Sequence, residues 1–194
     1  MKNKGKQPRS RRTIETILDA AAQVLIEQGY SRATTNRIAE KSGYSVGTLY
    51  QYFVDKEDVY RELVRHELAK IVVTVRQTPV CATLCDTLTG MLSQILQVLG
   101  NDPLLVQALG QLISGPFQDI RASARDRTLA GVIGLLEAHR DEIVVEDLKL
   151  AAETIISATE GFAVNANQIA YPTTVLLEHG VRLQLAYLAM PEDW

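Results

Sequence analysis

The stretch Thr34 to Phe53, TTNRIAEKSGYSVGTLYQYF, holds two helical patterns, each too short to stand alone, parted by Gly43. Thr34 is placed to cap the first by accepting a backbone N–H bond, and Ile38 and Ala39 give it a face to bury. Gly43 follows Ser42 where that helix must stop, because glycine enters the left-handed conformation at little cost. Ser45 can cap the second helix, whose Leu49 and Phe53 share one face. Val46, Gly47, Thr48, Tyr50, Gln51 and Tyr52 then point elsewhere. A helix of about seven or eight residues buries too little to hold itself in water, so neighbours must support it. The spacing predicts a helix-turn-helix, whose second helix can lie in a DNA major groove. Any short corner of two helices has this spacing, so the outer face must decide. It offers hydroxyls, a carboxamide and a glycine but no acid, and an acidic or fully apolar face would oppose phosphate.

Residues Ile14 to Leu63 resemble the DNA-binding domain of the TetR family of bacterial transcriptional regulators. The matching residues run through IxxILDAAAQVLIEQGY and TTNRIAEKSGYSVGTLYQYFVDKED, and GYSVGTLYQYFVDKE is the most specific part. The resemblance covers about the first third of the chain. It implies DNA contacts at Thr35, Asn36, Val46, Gly47, Thr48, Tyr50, Gln51, Tyr52 and Lys56. Gln51 has a carboxamide suited to adenine, whereas Tyr50, Tyr52 and Lys56 are placed for phosphates. Val46 departs from the polar or basic residue of many relatives, and a thymine methyl is the contact left to it. The resemblance also implies a homodimer, joined by the last two helices, on a palindromic double-stranded DNA operator. A small-molecule inducer would release it, making the chain a ligand-responsive repressor.

Net charge is −3 over 194 residues, but its distribution is uneven. Residues 1–12 carry Lys2, Lys4, Lys6, Arg9, Arg11 and Arg12 with no acid, a charge of +6. Residues 13–60 carry −3 and residues 61–194 carry −6. The positive field therefore sits at the N-terminus, and residues 1–11 read as a flexible basic arm. SRRTIE begins like a twin-arginine signal, yet the amphipathic stretch after it contains Asp19 and Glu27, unlike a secretory apolar region. No run approaches the ~18 apolar residues of a membrane span. A cytoplasmic protein with reduced Cys81 and Cys85 is expected.

After the arm, Ile14, Ile17, Leu18, Ala21, Ala22 and Leu25 form one helical stripe, ended by Gly29, which would cover the two short helices. Asp55 opens a further helix that runs to about Gln77 before Pro79, with Asp58 positioned as in a capping box. Helical periods continue over Ala82–Leu99, Asp102–Ile113, Phe117–His139, Leu148–Ala170 and Thr173–Ala189. The fold class is all-α. An N-terminal helix-turn-helix domain over 12–72, with its motif at about 35–54, precedes a helical ligand-binding and dimerisation domain over 73–194.

The last two helices are apolar over wide arcs, through Ile155, Phe162 and Ala166 on one and Leu177, Val181, Leu185 and Leu188 on the other. Such arcs fit either a monomer core or a four-helix dimer interface, and the family resemblance favours the interface. Gln107, Gln111, Thr159 and Asn165, with Phe117 and Phe162 as aromatic walls, are the candidate ligand residues. Gln94 and Gln168 lie in similar surroundings. No charged cluster suits a highly anionic effector, so a small, largely apolar one is expected, with no cofactor. HELAK at His66–Lys70 is half a zinc-protease motif, with Lys70 in place of the second histidine. No P-loop, dinucleotide fingerprint or nucleophile elbow is present. Cys81 and Cys85 read as small buried hydrophobes. A helical adaptor or scaffold, or an all-α enzyme, remains the alternative, but an adaptor leaves the DNA-like motif unexplained.

Overall fold

The computed structural model describes the backbone of residues 8–166 and 172–190, and side chains over 9–162 and 172–190. Among them the chain is all-helical. The helices are α1 (Pro8–Arg32), α2 (Thr35–Ser42), α3 (Val46–Tyr52), α4 (Lys56–Gln77), α5 (Leu84–Gly100), α6 (Pro103–Ile113), α7 (Gln118–Glu137), α8 (Leu148–Ala166) and α9 (Thr173–Leu188). A 3-10 turn at Arg140–Glu142 precedes α8. Of the expected flexible arm, residues 8–11 are helical, since α1 begins at Pro8, and residues 1–7 lie outside the described residues. Proline's fixed φ and missing donor suit a first helical position, and the Thr13 and Thr16 hydroxyls donate to the Arg9 and Arg12 carbonyls.

The chain folds as two compact units, Met1–Leu68 with Leu104–Arg121 and Ala69–Pro103 with Ala122–Trp194. This departs from the simple division at residue 72. The reason lies in α6 and the turn after it. Leu105, Leu109, Leu112, Phe117 and Ile120 bury themselves in the same core as Ile17, Leu25, Ile38, Leu49 and Phe53. A helical period predicts that α6 has an apolar face, but it carries no address for that face.

In the second unit, α5 supplies Leu88, Met91 and Ile95, α7 Val132 and Leu136, and α8 Ala151, Ala152 and Ile155 to one core, closed by Leu188 of α9. Leu92, Leu96 and Val181 form a smaller cluster, with Leu177 and Leu185 against it. Thus Ile155, Val181 and Leu188, expected at a dimer interface, are interior residues of this unit, and Leu177 and Leu185 are half-buried beside them. The apolar arc of α9 meets α5 and α8 of its own chain. Phe162 is half-buried, and Ala166 lies outside the described side chains.

A polar array holds the start of α5. His139 Nδ1 lies 2.8 Å from Glu142 Oε1, and Nε2 lies 2.8 Å from the Thr87 hydroxyl, which accepts the Cys81 amide at 2.9 Å. The Glu142 carboxylate also accepts the Leu84 amide at 2.9 and 3.1 Å, satisfying a helix N-terminus. Its residue types are those of a hydrolytic triad, but Thr87 has no exposed surface and every group in it has a structural partner. Cys81 is half-buried and Cys85 exposed, contrary to the expectation of two buried thiols. Cys85 falls on the solvent side of the first turn of α5.

The approach of α9 to α5 is set by Gly180. A methyl group there would come within 2.7 Å of Leu92 Cδ2, and Leu92 is buried. Gly180→Ala is expected to destabilise the protein by about 1–3 kcal/mol through overpacking. Chemical denaturation checks this, and an unchanged midpoint would show that Leu92 yields without strain.

Candidate nucleic-acid interface

The regular part of α1 ends at Gly29, whose φ of 72° and ψ of 163° turn the chain before a final short turn to Arg32. Thr34 then caps α2, accepting the Arg37 amide at 3.3 Å. At the other end Gly43 is left-handed, with φ 72°. Its amide donates to Glu40 O, and the Tyr44 amide reaches back to Ala39 O. Those paired bonds close the helix and swing the chain into α3. Ser45 caps α3 by accepting the Thr48 amide at 3.0 Å, and the two hydroxyls lie 2.9 Å apart. Leu49 and Phe53 have no exposed surface, so the seven-residue α3 is fixed by its inner face.

With that face buried, Gly47, Tyr50 and Gln51 of α3 and Asn36 of α2 are exposed. The Tyr50 hydroxyl lies 3.1 Å from Thr35 Oγ1, which joins the start of α2 to the outer side of α3. Thr48 is half-buried and held by Ser45. Val46 and Tyr52 are half-buried against the core, so both contribute to holding α3 in place. Asp55 Oδ1 accepts the Asp58 amide at 2.8 Å, and Asp58 Oδ2 accepts the Val54 amide at 3.0 Å. The reciprocal cap of α4 therefore reaches one residue further back than a capping box would.

Lys56, expected to contact phosphate, also has a partner within the protein. Its ammonium donates to the Tyr30 carbonyl at 2.9 Å and lies 4.4 Å from the centre of the Tyr30 ring. Arg37 donates to Gln28 Oε1 and, at 2.9 Å, to the Arg32 carbonyl. Lys41 pairs with Glu27 at 2.5 Å. Arg37 and Lys41 of α2 and Lys56 at the start of α4 thus all bind the end of α1. Sequence spacing shows none of these pairings, because the partners lie as far as 26 positions away.

Tyr30 is the centre of this clamp. Its ring meets Tyr60 edge-on at 5.3 Å and Phe117 at 6.0 Å, and Arg61 lies 5.2 Å over Phe117. Burial first, then the Glu57 and Asp55 carboxylates, push the Tyr30 phenol above its usual pKa against the effect of Arg61. Burial also pushes the Tyr60 phenol up, and its hydroxyl donates to the Ala21 carbonyl at 3.2 Å.

The candidate ligand residues divide between the two units. In the first, Gln107 and Gln111 line an open groove of about 230 Å³ with Leu25, Ile26, Leu104, Ala108 and Leu112. Phe117 is no wall of that groove, being fully buried in the core. In the second, Thr159 is buried and accepts a bond from Gln184 Nε2 at 3.1 Å, and Phe162 is half-buried. The Gln184 side chain is 2% exposed, and its Oε1 has no partner among the described residues. Asn165 and Gln168 lie outside the described side chains. Gln184 is not legible as a candidate in the sequence, since a glutamine on a helix usually faces water. Among the described residues no three of His, Cys, Asp and Glu converge as a metal site, and no helix is long and apolar enough to cross a membrane.

Residues 17–63 match the family described as bacterial regulatory proteins, tetR family. The fatty acid metabolism regulator protein of Bacillus subtilis is 30% identical over 87 residues, 44% of this chain and 45% of that protein. That match spans less than half of the relative's length. The solved fatty acid degradation regulator FadR of Bacillus halodurans superposes with a TM-score of 0.79 at 26% identity, covering 94% of this chain and 97% of that one. FadR from Bacillus subtilis, solved with stearoyl-CoA, has a TM-score of 0.76 at 22% identity over 91% of this chain and 98% of that one, a likeness of fold.

Ser45 tests the local construction of α3. Ser45→Ala removes the cap on the Thr48 amide and is expected to lower stability by about 1 kcal/mol. Urea denaturation should show a lower midpoint at unchanged slope, and an unshifted midpoint would mean that water replaces the serine without loss.

Proposed function

We propose, from the premise that the chain belongs to the TetR family of bacterial regulatory proteins, that it is a ligand-responsive repressor rather than an enzyme. It binds a palindromic operator as a homodimer and, like its DNA, works in the cytoplasm. The observation that carries this is the outer face of α3. Gly47, Tyr50 and Gln51 stand exposed on a helix free of acids, with Asn36 beside them and the opposite face locked into a core. Gln51 reads a base edge, adenine being the one its carboxamide matches. Thr35, Asn36, Thr48 and Tyr50 approach phosphates, as does the outward side of Lys56, while Val46 and Tyr52 hold the reading helix against them. A dimer seated across two half-sites excludes other proteins from the same duplex, which is repression in its simplest form.

The dimer uses α8 and α9, but through a different face from the one the apolar arc suggests. On α9 Leu183 is 51% exposed, with His179 and Ala186 exposed at helical spacing on either side of it, and Met190 just past the helix is 47% exposed. The effector is a largely apolar molecule of the acyl-chain kind, as the fatty acid regulators among its relatives suggest. Thr159 with Gln184 supports a polar handle in the second unit, since a buried acceptor without a partner is costly.

Two experiments test the reading. In a selection from random duplexes, Gln51→Ala should lose preference at one base pair in each half-site, a loss of ~1–3 kcal/mol there. An unchanged motif sinks the assignment. Leu183→Asp should shift a dimer to a folded monomer in light scattering, because it buries an unpaired carboxylate only in the dimer. A variant that stays dimeric places the interface elsewhere.

A further inference from the structure

Within the first unit, the α6–α7 junction and the start of α4 meet at a single side chain. Tyr30 contributes its carbonyl and the face of its ring to the Lys56 ammonium, at 2.9 Å and 4.4 Å. The same ring is packed edge-on to Phe117, which has no exposed surface. Phe117 is fixed in turn by its backbone N–H, which donates to the Leu112 carbonyl at 3.0 Å, and by the Arg61 guanidinium above its ring. Arg61 also binds Asp119 at 2.8 Å, so the beginning of α7 is fastened to α4.

A free lysine side chain must be ordered before it can meet a phosphate, and that ordering subtracts from affinity. Lys56 is already ordered. One donor is engaged by the Tyr30 carbonyl, just past the regular end of α1, and the ring face attracts the same charge. Lys56 is half-exposed as a residue, and its ammonium has two further N–H donors. Any displacement of Phe117 by α6 or α7 changes the position of the ring under that ammonium.

We propose that Tyr30 is the positioning residue of the DNA site, holding the Lys56 ammonium ready for a backbone phosphate, and that Phe117 is the point at which the α6–α7 segment controls it. This rests on the reading of Lys56 as a phosphate contact. The groove beside Tyr30, lined by Gln111 and Leu112 of α6, lies on the same relay.

The test is a double-mutant cycle, read by fluorescence anisotropy on a random-sequence duplex at low salt, where a phosphate contact contributes whatever the sequence. Tyr30→Leu should weaken binding roughly three- to tenfold, the scale of ordering one long side chain. Tyr30→Phe, which keeps the ring and the carbonyl, should bind as the parent chain does. In a Lys56→Ala background, Tyr30→Leu should add no further loss. A loss of the same size with Lys56 absent would make Tyr30 a residue of the fold alone and overturn the proposal. No loss from Lys56→Ala by itself would instead overturn the reading of Lys56, and the proposal with it. A second measurement does not depend on Tyr30→Leu folding. In the parent chain the Lys56 ε-methylene protons should be displaced upfield by the Tyr30 ring current. Phe117→Leu should relax that displacement and weaken DNA binding only while Lys56 is present. Lys56 resonances at ordinary positions in the parent chain would refute the arrangement.

Discussion

The burial of Leu49 and Phe53 is the contact on which the outward surface of the first unit depends. A seven-residue helix has too few internal hydrogen bonds to persist in water, so α3 exists because its inner face is held. Ile17, Leu25 and Ile38 supply the matching surface, and Gly43 and Ser45 make the turn that brings α3 to it. Once Leu49 and Phe53 face inward, the ~100° step of a helix leaves Tyr50 and Gln51 no direction but outward. The outward face of α3 is a geometrical consequence of the core.

The charges follow the same logic. A DNA-binding face is expected to present its cations to phosphate, yet Arg37, Lys41 and Lys56 all reach back to the end of α1. Arg37 and Lys41 fasten α2 to α1, and Lys56 fastens the start of α4 to it. Exposed pairs such as Lys41 with Glu27 contribute little to stability, so the fastening owes more to the carbonyls and the Tyr30 ring than to ion pairing. In the proposed function, long-range attraction to DNA would fall mainly to residues 1–12, which carry +6 against −3 over residues 13–60. Arg9, Arg11 and Arg12 occupy the first turns of α1, where a helix N-terminus disfavours cations. A phosphate placed there relieves that repulsion.

Much of this is legible in the residues alone. The caps Thr34, Ser45 and Asp55, the stop at Gly43 and the helix limits near Gln77 and Ile113 follow from residue chemistry that acts between near neighbours in the chain. The outer face of α3 follows from the same local rules. What periodicity does not carry is the identity of the surface an apolar face meets. For that reason α6 reads as part of the second domain, and Val181 and Leu188 read as a dimer face, although both close the core of their own chain. Lys56 shows the same limit for polar groups, since its partner lies 26 residues away.

The proposed function divides DNA binding between the helix-turn-helix, which would supply shape and base contacts, and residues 1–12, whose +6 charge would supply the electrostatic attraction. The most direct test replaces Lys2, Lys4, Lys6, Arg9, Arg11 and Arg12 together by glutamine and measures DNA affinity across a salt series. Each phosphate neutralised contributes about −0.9 to the slope of log affinity against log salt. The account predicts a helical, folded variant with a much shallower slope and weaker binding on every sequence. A slope equal to that of the parent chain would contradict it.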